Sequence, residues 1–166
     1  LSVGLPKWLI AEPRRWPFAV CIPQKPERDE LLPTYEAAVF AHLDACVAHA
    51  GLDPSRVAIV GISQGAHAAF HFAAGHPRRF RAAAACSGFP DIDDSVHDPV
   101  PSRRLLAKIA RLAERLRRTP MRLYHGEADR IVPVERSREM LAALKDKGAD
   151  ATLETYASVG HQAWDA

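Results

Sequence analysis

The strongest constraint on this chain is an alternation. Apolar runs of five or six residues take turns with longer stretches whose apolar residues recur at helical spacing. The short runs are Phe18–Ile22, Arg56–Gly61, Ala82–Cys86, Met121–His125 and Thr152–Tyr156. The longer stretches are Thr34–Ala50, Gln64–Ala74, Arg103–Arg118 and Pro133–Lys147. Parallel strands need a crossover of a dozen or more residues between them, usually a helix. The alternation therefore predicts an α/β fold, a mostly parallel sheet flanked by helices.

Local signals support these boundaries. The strand runs are read as buried, because a parallel sheet covered on both faces needs no polar alternation. Ala82–Cys86 is the weakest of them, since alanine is a poor strand former. Thr34–Ala50 carries an apolar face of Ala38, Val39, Leu43, Cys46 and Val47, and Gly51 ends it. Arg103–Arg118 carries a stripe of Leu105, Ile109, Leu112 and Leu116. Leu1–Pro17, Gln24–Glu30 and Gly88–Pro101 are read as irregular connections. Residues 1–166 are read as a single domain with no internal repeat.

Composition closes off other classes. The chain has 166 residues, 48% hydrophobic and 25% charged, which excludes a disordered chain or a disulfide scaffold. No apolar run is long enough to span a bilayer, so no stable membrane insertion is expected. Net charge is +2. Arg103–Arg118 alone carries seven basic residues and one acid, so the remainder is acidic and no nucleic-acid footprint covers the domain. The basic helix reads as a solvated helix beside the site, with a lid or an anionic membrane contact as the sharper alternative. Cys21, Cys46 and Cys86 are widely spaced and odd in number. They read as small buried hydrophobes, with no zinc site or disulfide framework expected and a lean toward a cytoplasmic setting. An export signal upstream of Leu1 is the alternative.

The chemistry concentrates in Gly61-Ile62-Ser63-Gln64-Gly65, which fits G-x-S-x-G with a strand before it and a helix after it. In that setting a serine hydroxyl is presented above the sheet at a helix N-terminus. A serine needs a base to take its proton, and the base is usually a histidine held by a carboxylate. Downstream, Asp129 follows the Met121–His125 strand and His161 follows the last strand. All three positions fall at carboxyl edges, where loops of a parallel sheet converge on ligands. Glu127 competes as the acid, as do Asp91, Asp93 and Asp94 after Cys86. His125 reads as structural. His67 and His71, four apart on a helix, form a candidate metal pair that lacks a carboxylate, and packing is the reading taken. His42, His49, His76 and His97 read as surface or packing residues.

Taken together these residues resemble an α/β-hydrolase of the bacterial predicted-peptidase or phospholipase/carboxylesterase-like branch, related to prolyl-oligopeptidase-type esterases. The matching pieces are Leu5-Pro6-Lys7-Trp8-Leu9, Pro17-Phe18 to Pro23-Gln24, Asp53-Pro54-Ser55-Arg56-Val57, Gly61 to Gly65, His76-Pro77 with Phe80, His125-Gly126 with Asp129 and Val132-Pro133, and Gly160-His161 with Trp164. The resemblance implies Ser63 as nucleophile, Asp129 as acid and His161 as base. It also implies the Gln64 N–H as one oxyanion donor, an ester as small-molecule substrate, and neither cofactor nor metal. Gln64-Gly65-Ala66 stands where such relatives carry Met-Gly-Gly; this form is similar to acyl-protein thioesterases and small carboxylesterases. Relatives place further strands and a His-Gly loop before the segment that begins here, and that loop supplies the second oxyanion donor. The expectation is a serine esterase whose chain as given starts after the biological start. A thioesterase or peptidase on the same residues is the alternative within enzymes, and a non-catalytic fragment or binding module the alternative outside them.

Overall fold

The computed structural model describes residues 5–27, 29–91, 97, 98 and 100–165. Four parallel strands, β1 (Ala58–Ile62), β2 (Ala82–Cys86), β3 (Met121–Gly126) and β4 (Ala151–Tyr156), form one sheet in the order β1-β2-β3-β4. Helix α1 (Leu5–Ala11) opens the described chain and α2 (Glu36–His49) precedes the sheet. The crossovers are α3 (Gln64–Gly75), α4 (Arg103–Leu116) and α5 (Glu135–Asp146). A sequential order with crossovers of one hand places the crossover helices on one face. The core agrees: Phe70 and Phe72 of α3, Leu105, Ile109, Leu112 and Leu116 of α4, and Met140 and Leu144 of α5 bury against Ala83, Ala85, Met121 and Leu123.

The alternation along each strand follows from that one-sided packing. In β2 and β3, residues 83, 85, 121 and 123 are buried, while 82, 84, 122 and 124 are half-buried on the opposite face. The small side chains of β2 suit its central place, since they let α3 approach closely. A Cβ on Gly88, just past β2, would meet the Ala66 Cβ of α3 at 2.3 Å. Packing thus overrides the weak strand propensity of alanine.

Four expectations are corrected. Phe18–Ile22 forms no strand; Phe18 is 54% exposed and the segment has no regular secondary structure and joins no ladder. An isolated strand has no partner for its N–H and C=O groups, and among the described residues β1 pairs only with β2. For the same reason β1 is not a buried strand: Val60 is 61% exposed. Leu1–Pro17 is not wholly irregular, because Leu5–Ala11 is helical and Pro13–Arg15 forms a 3₁₀ turn. Pro6 lies in the first helical turn, where its missing N–H breaks no bond. Residues 1–4 lie outside the described residues. The helix expected over Thr34–Ala50 begins as a 3₁₀ turn at Leu32–Tyr35, and no residue of α2 is fully buried.

Candidate active site

Ser63 occupies the junction between β1 and α3. Its backbone φ is 53°, a left-handed conformation that non-glycine residues seldom adopt. The turn is held on both sides. The Ser63 N–H donates to the Cys86 carbonyl at 2.9 Å, and the Ser63 carbonyl accepts from the N–H groups of Ala66 and His67 at 3.0 and 3.2 Å. Gly61 makes the turn feasible, because a Cβ there would lie 1.9 Å from the Gly65 carbonyl oxygen. Helix α3 starts at Gln64, so the N–H groups of Gln64 and Gly65, ahead of those that reach the Ser63 carbonyl, have no partner within the helix.

The two other loops come from the ends of β3 and β4 and are tied to each other. The N–H groups of Glu127 and Ala128 donate to the carbonyls of Tyr156 and Val159 at 3.0 and 2.9 Å. Gly126 permits the approach; a Cβ there would lie 2.2 Å from the carbonyl oxygens of both Val159 and Gly160. The structure brings together the three residues singled out in the sequence. His161 Nε2 lies 3.0 Å from Ser63 Oγ, and His161 Nδ1 lies 2.8 Å from Asp129 Oδ2. The Trp164 ring packs nearly perpendicular to the imidazole of His161, with ring centroids 5.4 Å apart.

Asp129 is held tightly. Its Oδ1 accepts from the backbone N–H groups of Ile131 and Val132 at 2.8 and 2.9 Å. Burial pushes its carboxyl up, but the bonds from His161, Val132 and Ile131 outweigh that and hold it below the usual carboxylate range. His125, fully buried on β3, adds a further contact. Its Nε2 lies 2.9 Å from the Val132 carbonyl and 3.2 Å from Asp129 Oδ2, while Nδ1 lies 2.7 Å from Ser137 Oγ. Burial depresses the His125 pKa, which keeps the ring neutral. The network then assigns its proton to Nε2, donating to Val132 and Asp129, with Ser137 donating to Nδ1. The structural role read for His125 thus has a definite content: it orients the carboxylate that meets His161.

The competing residues lie elsewhere. Glu127 accepts from Thr155 Oγ1 at 2.9 Å and pairs with Arg138, away from His161. Asp91 pairs with Lys108 at 3.2 Å in a groove of about 430 Å³ between α3 and α4, which none of Ser63, Asp129 and His161 lines. Asp93 and Asp94 lie outside the described residues. His67 and His71 pack ring against ring at 4.2 Å, with His67 also stacked on Phe89. His71 Nε2 meets the Pro90 carbonyl and His76 Nε2 meets Glu36. Cys86 is buried as expected, whereas Cys21 and Cys46 are only half-buried, because α2 and the Phe18–Ile22 segment lie at the margin of the core.

One residue near Ser63 gave no signal in the sequence. Lys25 Nζ donates to Gln64 Oε1 at 2.8 Å, which carries the segment after Pro23 to the residue beside the serine. A lone lysine in a polar loop has no periodicity or motif that marks such a contact.

A parallel sheet with crossover helices, a serine at a strand–helix turn and an Asp and a His on the next carboxyl-edge loops defines the α/β-hydrolase class. The chain belongs to the phospholipase/carboxylesterase family, whose model matches residues 23–166. The carboxylesterase SOBER1 of Arabidopsis thaliana is 28% identical over 123 residues, covering 74% of this chain and 48% of that protein. A probable inactive carboxylesterase of Oryza sativa subsp. japonica is 26% identical over 124 residues, covering 75% of this chain and 45% of that protein. The crystal structure of esterase PE8 matches with a TM-score of 0.57 and 30% identity, covering 84% of this chain and 60% of that one. The chain thus spans about half the length of these curated relatives. Among the described residues no helix is long and apolar enough to cross a membrane.

Proposed function

We propose that the protein is a serine hydrolase that cleaves carboxylic esters through an acyl-enzyme, with Ser63 as nucleophile, His161 as general base and Asp129 as its orienting acid. The observation that carries this reading is the unbroken hydrogen-bond chain from Ser63 Oγ through His161 to Asp129, at 3.0 and 2.8 Å, across three separate loops of one sheet edge.

The chemistry follows from the proton positions. Asp129 accepts a hydrogen bond from His161 Nδ1–H and so keeps the proton on Nδ1, leaving the Nε2 lone pair for the Ser63 hydroxyl. As Oγ attacks the ester carbonyl carbon, its proton passes to Nε2. The carbonyl oxygen becomes an oxyanion beside the Gln64 N–H at the start of α3, where the helix dipole also favours negative charge. The imidazolium then gives its proton to the departing alcohol, leaving an acyl group on Ser63. Water enters, loses a proton to His161 Nε2 and attacks the acyl carbon. Collapse expels the carboxylic acid and returns the proton to Ser63. An oxyanion donor is worth about 10²–10³ in turnover in related chemistry, so the rate depends on what accompanies Gln64.

The test is labelling of the 166-residue chain with a fluorophosphonate, beside Ser63→Ala and His161→Ala. Labelling of the parent that disappears in both variants supports the proposal. A parent that folds cooperatively yet does not label overturns it in favour of a non-catalytic role. Hydrolysis of p-nitrophenyl esters, aryl thioesters and peptide anilides, compared by kcat/KM, then reads the acyl bond preferred.

A further inference from the structure

Away from Ser63, three side chains with soft or borderline metal-binding atoms converge. Cys21 lies in the irregular segment before α2, and His42 and Cys46 sit one turn apart on α2, on a common helix face. The two thiol sulfurs and one imidazole nitrogen all lie within 4.8 Å of one another. Cys46 Sγ is 3.7 Å from His42 Nε2. Tetrahedral zinc, with Zn–S of about 2.3 Å and Zn–N of about 2.0 Å, sets its sulfur and nitrogen ligands about 3.6 Å apart. The spacing already present is therefore that of a zinc ligand pair. Cys21 and Cys46 are half-buried and His42 is exposed, so an ion has both an entry path and room for a solvent ligand in the fourth position.

We propose that Cys21, His42 and Cys46 bind one zinc ion through two thiolates and an imidazole. Binding releases the thiol protons to solvent and involves no redox change. The ion would fasten the Phe18–Ile22 segment, which no sheet ladder holds, to α2. Four residues after Cys21, Lys25 reaches Gln64 beside Ser63, so the same clip steadies the approach to the hydrolytic site.

The experiment titrates reduced, chelator-treated protein with Co²⁺ under anaerobic conditions. The expected result is one equivalent bound, with tetrahedral d–d bands and a thiolate-to-cobalt charge-transfer band, both abolished by added Zn²⁺. Cys21→Ser and Cys46→Ser should each lose about half of the charge-transfer intensity, and His42→Ala should shift the d–d bands. His49→Ala, on the last turn of the same helix, should leave the spectrum unchanged. Circular dichroism of every variant separates loss of a ligand from loss of the fold. A reduced parent without the charge-transfer band overturns the proposal, as does a band that survives in the Cys21→Ser, Cys46→Ser double variant.

Discussion

Replacing Asp129 by Asn tests the proton logic of the site with almost no change in shape. Asp129 Oδ1 accepts two backbone N–H groups, from Ile131 and Val132, and Oδ2 accepts the Nδ1–H of His161. An asparagine has one oxygen to share between these positions. Turning its NH₂ toward the two backbone donors would leave both N–H groups without an acceptor, at about 1 kcal/mol each and more when buried; on the Oδ2 side His125 Nε2–H keeps the Val132 carbonyl at 2.9 Å and His161 can move its proton. The oxygen therefore stays at the Oδ1 position and the NH₂ faces His161. A donor there forces the His161 proton onto Nε2, the nitrogen 3.0 Å from Ser63 Oγ. The serine then has no base. The same exchange in Ser-His-Asp enzymes costs about 10⁴ in turnover, or about 5 kcal/mol of transition-state stabilisation at 1.36 kcal/mol per tenfold. The assay is the second-order rate of fluorophosphonate labelling at neutral pH. It is paired with ¹⁵N NMR of the His161 ring, which reads the tautomer whether or not the protein turns over substrate. A labelling rate within tenfold of the parent, or a ring that keeps its proton on Nδ1, would refute the reasoning.

Other predictions follow from packing and burial. Burial, with His71 next to it, depresses the His67 pKa from 6.5 to about 4. The unfolded chain takes a proton below about 6.5 while the folded chain does not, so this stability is complete above that pH and is lost as pH falls toward 4. The span corresponds to about 3 kcal/mol; His67→Leu should flatten the urea-derived stability profile between these pH values by about that amount, and an unchanged slope would count against it. Gly126→Ala should cost about 1–3 kcal/mol through overpacking against the Val159 and Gly160 carbonyls, lowering Tm by about 2–12 °C. It should also slow labelling by displacing the His161 loop, and a Tm within a degree of the parent would show that the loop yields freely.

Much of the site was legible because the chemistry leaves local traces. In Gly61-x-Ser63-x-Gly65 the tight turn excludes a Cβ at Gly61, whereas a Cβ at Gly65 would meet open space. Asp129 and His161 were legible through their positions after apolar runs. The strands themselves were less so. Phe18–Ile22 and Arg56–Gly61 are apolar runs of similar length, yet only the second joins the sheet. An apolar run records a tendency to be buried, and pairing depends on which partners exist in space. The one-sided covering of the sheet was equally invisible, since Ala82–Cys86 reads as continuously apolar whether one face is packed or two. His125 carried no sign of its contact with Asp129, and Cys21 none of its nearness to Cys46, because both contacts join segments that only folding brings together.

The sequence by itself determined the class of fold, the turn at Ser63 and the residue types on the two loops that follow. These depend on periodicity, on glycine sterics and on the chain order of strands, all of them local quantities. The tertiary structure alone decided which carboxylate meets His161, which tautomers the histidines hold, and which strands pair. Those outcomes depend on distances of a few ångströms between residues as much as 98 positions apart, and no short-range pattern in a chain encodes such a distance.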